Sequence, residues 1–197
     1  MRAPVTPDVP AYESWEGLVR FWEETDWPEG CKVEIIEGTI RVTPPAMNHH
    51  ACIASRIQGA LYPTLPEGWG IHQRQSVAVP SCTSLLTPDV LVLPLSVLVE
   101  AATEYYVPAT YARLVAEITS PSTAAQDRTE KPVAYARAGI PLYLLIDPHA
   151  TGEPAIHLYG EPANGTYRLL WSGKFGETVK LPEPFGVAIG TSAFPRP

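Results

Sequence analysis

Three short, almost unbroken apolar runs constrain this chain most: residues 89–93, 111–119 and 141–146. Each has the length of a strand. Each carries apolar side chains at successive rather than alternate positions, the mark of a strand covered on both faces. A helical pattern over 123–137 separates the last two, and another over 49–61 precedes all three, with His50, Ile53, Ile57 and Leu61 recurring at three- and four-residue steps. Strands followed by a helix and a further buried strand imply a mixed sheet with a crossover helix. The fold class expected is α/β in the mixed, α+β sense. A central mixed β-sheet is flanked by helices, with an N-terminal helix and hairpin added.

That helix is read over 14–25, where Ser14 offers an N-cap and Trp15, Leu18, Val19 and Trp22 share a face. The hairpin is read over 33–42, with Glu37-Gly38 as its tight turn. Residues 73–79 alternate like a strand, 80–87 read as a polar loop, and 96–110 as a short helix and loop. Pro132 cannot sit in an unkinked helix interior, so 123–137 either bends there or starts a second piece with Pro132 in its first turn. Residues 155–159 and 167–172 form an edge hairpin, and 179–181 and 187–189 are short strands that cover an edge.

Hydrophobic residues make up 45% of the 197, enough for one domain with a sizeable core. The net charge of −7 is uneven: residues 1–37 hold nine acids against Arg2, Arg20 and Lys32, which leaves −6 there. No broad basic face is visible, so binding to duplex DNA should be modest without a metal. Cys31, Cys52 and Cys82 are odd in number and widely spaced, and read as packed free thiols in a reducing cytosol. The N-terminus has no basic-then-apolar signal pattern. The longest apolar stretch is interrupted by Pro94 and Ser96 and falls short of the ~18–20 residues of a spanning helix. A cytoplasmic protein without membrane contact is expected.

Two acids stand where acids are costly. Asp89 follows Pro88 at the head of one apolar run, either as a turn carboxylate or as a ligand. Glu117 lies between Ala116 and Ile118, and a glutamate is almost never fully buried without a partner. On adjacent strands the two would meet, and a divalent cation held by one or two carboxylates and several waters would relieve their repulsion. Such an ion polarises a phosphoryl oxygen and lowers the pKa of a bound water. Lys131 follows Asp127 by four residues, the spacing of a surface ion pair. Alternatively its ammonium folds back to the acids, where it orients water or offsets developing charge. Glu34 is a third acid for the site or the polar face of the hairpin. His50, at a helix start, is a ligand or a packing residue. Gln73 and Gln75 contact a phosphate or merely line a strand. There is no nucleophile elbow, P-loop or dinucleotide glycine pattern.

These residues fall in an order that resembles the Uma-two family, a restriction-endonuclease-like group within the PD-(D/E)xK nuclease superfamily. The matching stretches are Val33-Glu34-Ile35-Ile36-Glu37-Gly38, then Pro44-Pro45 and a histidine, then Pro88-Asp89-Val90. They continue with Glu117-Ile118-Thr119-Ser120-Pro121-Ser122-Thr123 and Asp127-Arg128-x-x-Lys131. Tyr135-Ala136-x-Ala138-Gly139-Ile140-Pro141-x-Tyr143 and Asp147-Pro148 complete the set. The likeness spans roughly 14–160 of a single restriction endonuclease-like domain over 1–197, with an arm at 1–13 and C-terminal strands and tail at 161–197.

The resemblance implies a Mg²⁺-dependent endonuclease, with Mn²⁺ as the alternative ion, that hydrolyses DNA phosphodiester bonds. Asp89 and Glu117 would bind the metal, and Lys131, Glu34 and His50 would complete the catalytic set. DNA would be the partner, and a homodimer is compatible with the resemblance, since related nucleases often pair subunits to cut two strands, although the sequence itself does not fix the oligomeric state. The sequence departs from the parent motif at one place: Thr119, not lysine, stands two residues after Glu117. The lysine role would then pass to Lys131. The alternative is a catalytically inactive nuclease-fold module for nucleic-acid or protein binding.

Overall fold

The computed structural model describes residues 14–196. The arm expected over 1–13 lies outside the described residues. In chain order the elements are α1 (Trp15–Glu24), β1 (Lys32–Ile36), β2 (Thr39–Thr43), α2 (Asn48–Leu61), β3 (Trp69–His72), β4 (Ser76–Val79), β5 (Ser84–Leu86), β6 (Val90–Pro94) and α3 (Leu95–Glu100). There follow β7 (Tyr106–Pro108), β8 (Leu114–Ile118), α4 (Ala124–Arg128), α5 (Glu130–Arg137), β9 (Leu142–Asp147), β10 (Ala155–Ala163), β11 (Thr166–Lys174), β12 (Thr178–Lys180) and β13 (Ala188–Gly190).

The expected mixed sheet is a six-stranded sheet in the order β11-β10-β9-β8-β6-β3. Its β8 and β9 are parallel and joined through α4 and α5, and its other pairs are antiparallel. Its central strands separate two cores. Val90, Val92, Leu114, Ala116, Leu142 and Leu144 face α2 and the C-terminal strands. Leu91, Leu93, Val115, Tyr143 and Leu145 face the opposite way, toward α5 and β4. Cover on both sides explains why these strands read as continuous apolar runs.

The chain also departs from the expectation. There is a second, five-stranded sheet, β2-β1-β5-β4-β7, so the N-terminal hairpin is part of a larger layer. The strand expected over 73–79 is shortened to β4, and the unread residues before it form β3 of the other sheet; Arg74, which adopts a left-handed φ of 62°, lies between the two. The polar loop expected over 80–87 contains the buried strand β5. Its Ser84 fits an apolar layer because its hydroxyl donates to the Cys82 carbonyl and accepts from the Glu37 N–H. Of the three thiols, Cys52 is exposed rather than packed.

The helical pattern over 123–137 breaks at Thr129 into α4 and α5. Pro132, with no N–H to give to Arg128, lies in the first turn of α5. Residues 179–181 and 187–189 pair with each other, and β12 packs against β11, the outer strand of the large sheet. They overlap the ribbon β12–β13, whose Val179 and Ile189 enter the core under the large sheet. Among the described residues no helix is long and apolar enough to cross a membrane.

Candidate active site

The two sheets meet at Thr87-Pro88-Asp89, where the chain leaves β5 and enters β6. A proline suits such a corner because no ladder hydrogen bond is asked of it. Thr87 fastens the corner: its N–H donates to Glu34 Oε1 at 2.8 Å, and its hydroxyl bonds Ser76 Oγ at 2.9 Å. Glu34 comes from β1 in one sheet, whereas Glu117 comes from β8 in the other. Val90 pairs with Ala116, so Asp89 lies one step on, beside Glu117. The sites expected on separate strands are thus drawn to a single seam.

All five residues singled out from the sequence converge there. The Asp89 carboxylate accepts from the Ile118 N–H at 2.8 Å and contacts His50 Nε2 at 2.9 Å, both on Oδ2. Lys131 Nζ stands 3.0 Å from Glu34, 3.1 Å from Glu117 and 3.0 Å from Asp127, and its side chain is 1% exposed. Asp127 and Lys131 are therefore not the surface ion pair their spacing allowed, because α4 and α5 turn both inward. Gln75 does not join them: its amide donates to the carbonyls of Ser76 and Tyr105.

Three members were missed in the sequence. Lys32 Nζ lies 3.1 Å from Asp89 Oδ1 and 3.8 Å from Glu117 Oε2. Asp127 was seen only as a partner for Lys131. Tyr135 donates its hydroxyl to Glu117 Oε1 at 2.7 Å. Lys32 had a legible signal, since it alternates with Glu34 on one strand and so shares its face. Tyr135 follows Lys131 by one helical turn, which the sequence also displayed.

Electrostatics divide the acids. Burial pushes Glu117 up to about 8, in spite of Lys131 and Lys32. Burial likewise wins at Asp127 and holds it above its ordinary value. At Asp89 burial is outweighed by Lys32 and His50, and the carboxyl sits well below its usual range. At Glu34 burial is outweighed by Lys131, Lys32 and the Thr87 N–H, so it too is lowered. Burial opposes the charge of Lys131, but Asp127, Glu117 and Glu34 keep the ammonium protonated far above the ordinary lysine range.

A profile of the family described as "Uma2: Putative restriction endonuclease" matches residues 20–192. The chain belongs to the Uma2 family. It is also similar to a protein of Anabaena variabilis ATCC 29413 whose crystal structure is described as that of "a putative nuclease belonging to DUF820". The TM-score is 0.63 at 18% identity, over 86% of this chain and 90% of that one. At that identity the likeness speaks for the fold, which is restriction endonuclease-like. No curated protein matches the chain.

In this Uma2 chain the position two residues after Glu117 is closed to the site. Thr119 is fully buried and donates its hydroxyl to Asp147 Oδ1 at 2.7 Å. Arg128 grips the same carboxylate with two N–H groups at 2.8 and 2.9 Å. Burial pushes Asp147 up, but Arg128 and Thr119 outweigh it and hold the carboxyl below its ordinary 3.8. A depressed carboxyl contributes stability above its unfolded pKa, and that contribution disappears as pH falls through the folded value. Urea unfolding below pH 4 should therefore show Arg128→Gln with a shallower loss of stability than wild type. Parallel curves would mean that the pair carries no linked protons.

Among the described residues no three His, Cys, Asp or Glu side chains form a ready cage for an ion. A Mg²⁺-type ion needs less, since one or two carboxylates and waters suffice. Glu117 Oε2 is buried and accepts no hydrogen bond from the described residues. It and Asp89 Oδ1 both face the Lys32 ammonium, so a cation is accepted between them. Four carboxylates (Glu34, Asp89, Glu117, Asp127) gather round two ammonium groups, so full ionisation of Glu117, which burial resists, calls for a further positive charge. The donor set fits a hard divalent cation held by Asp89 and Glu117.

Proposed function

We propose that this Uma2 chain is a Mg²⁺-dependent endonuclease, able to use Mn²⁺, that hydrolyses DNA phosphodiester bonds. One observation carries the reading: the carboxylates of Asp89 and Glu117 meet at the seam of the two sheets, with a buried Glu117 oxygen left without a hydrogen bond. When bound, the ion would polarise a phosphoryl oxygen and supply an activated water. The bond made is water oxygen to phosphorus, and the bond broken is phosphorus to the departing sugar oxygen.

The chain's own residues prepare that site. His50 and the Ile118 N–H fix the Asp89 carboxylate from two sides. Tyr135 and Lys131 fix Glu117 through Oε1 and leave Oε2 free to act. Glu34 is held by Thr87 and Lys131, and acts as a support that keeps Lys131 in place. These are fixed, water-poor contacts, which is how preorganised charge is made effective. A second reading, a nuclease-fold module that binds without cutting, is favoured by Lys32, whose ammonium already stands between the two acids.

Supercoiled plasmid incubated with Mg²⁺, Mn²⁺ or EDTA separates them. Nicked or linear product that appears with either metal and vanishes in EDTA is the expected result. Intact plasmid after incubation with folded protein that binds Mn²⁺ by calorimetry would leave the binding module as the better description.

A further inference from the structure

The two ammonium groups of the site differ in access. Lys131 is 1% exposed and has three carboxylates within 3.1 Å. Three acids pack round an ammonium with no exposed face, which leaves no approach for a phosphate. Lys32 stands at the first residue of β1, with its side chain 23% exposed. It bonds Asp89 Oδ1 at 3.1 Å and the Thr87 carbonyl at 3.3 Å, and its contact with Glu117 Oε2 is loose, at 3.8 Å. The other basic groups nearby are committed elsewhere. Arg128 is bound to Asp147 and the His149 carbonyl, while Arg41 faces Glu130 at 3.6 Å and contacts neither Asp89 nor Glu117. The motif position at Thr119 is buried against Asp147.

We propose that Lys32 is the ammonium that meets the scissile phosphate, and that Lys131 is confined to holding the acids in place. The inference rests on the nuclease reading above. A phosphate oxygen held at Asp89 and Glu117 would lie beside Lys32, the partly exposed ammonium that contacts both acids. Its three rotatable N–H donors exchange a loose carboxylate contact for a phosphate without exposing a buried charge. The lysine absent from position 119 is then replaced from the neighbouring sheet, at a residue that alternates with Glu34.

The test uses the whole chain with Lys32→Met and Lys32→Arg. Binding of a duplex oligonucleotide is followed by anisotropy from 50 to 200 mM salt, with Ca²⁺ in place of Mg²⁺. One lost phosphate contact lowers the slope of log K against log salt by about 0.9. Lys32→Met should show that drop and Lys32→Arg should restore it, a change that a merely structural lysine would not produce. In Mg²⁺, Lys32→Met should cut with a kcat reduced by about 100-fold while Mn²⁺ binding persists.

A wild-type slope and wild-type rate in Lys32→Met would overturn the inference while leaving the nuclease reading standing. A lowered slope in Lys32→Met beside a wild type that cuts nothing would remove the nuclease reading and keep the phosphate contact. Wild-type protein that binds no duplex at 50 mM salt overturns both.

Discussion

Lys131→Met is expected to remove about 3–5 kcal/mol of stability, the usual result of deleting one partner from a buried ion cluster. The substitution preserves volume and the apolar stem, so the loss is electrostatic. Glu34, Glu117 and Asp127 would face one another at the place where an ammonium now stands 3.0–3.1 Å from each. Domains of this kind hold only about 5–15 kcal/mol in reserve. The urea midpoint should fall sharply at neutral pH.

Two further results separate this cause from a packing defect. Adding Asp127→Asn to Lys131→Met should recover part of the loss, as contacting residues couple by about 0.5–3 kcal/mol. The penalty should also shrink in acid, because protonated carboxyls no longer repel. A deficit that stays constant from pH 7 to pH 4, with additive double variants, would show that the cluster's charge is not what Lys131 balances.

Asp89→Asn and Glu117→Gln are each expected to lower metal-dependent cleavage by about 1,000-fold, since several kcal/mol of charge stabilisation leave with the ion. Stability should respond differently. Asparagine at 89 keeps an acceptor for the Ile118 N–H but weakens the contacts with His50 and Lys32. A modest loss is expected there. Glutamine at 117 keeps an oxygen for Tyr135 and Lys131, and removes a carboxyl whose ionised form burial disfavours. Glu117→Gln should therefore be as stable as wild type or more so while being inactive, a trade often found where function keeps a costly group. Full activity in either variant, in a preparation free of contaminating nuclease, would dismiss the assignment of Asp89 and Glu117 to the metal.

The local patterns of this sequence determined much of the fold. Successive apolar residues in 111–119 and 141–146 made β8 and β9 legible, because cover on both faces leaves no position for a polar alternation. Glu37-Gly38, both at positive φ, made the first hairpin legible. Pro132 carried the break between α4 and α5, because it has no N–H to continue a helix. Glu117 was visible as an acid among apolar neighbours, and it is indeed fully buried.

Tertiary structure decided the rest. Periodicity records which faces of a strand are covered, but not to which sheet the strand belongs. Thus the strand read over 73–79 proved to be β4 alone, its predecessor β3 went unread, and β5 looked like a loop, until the corner at Thr87-Pro88-Asp89 divided the two layers. The partners of a buried charge are likewise set by distant contacts. Lys32 meets Asp89 across 57 residues, and Glu34 meets the Thr87 N–H across 53. No local spacing distinguishes an ammonium that ends between two carboxylates from one that ends in water, and that choice was made only when the two sheets closed on each other.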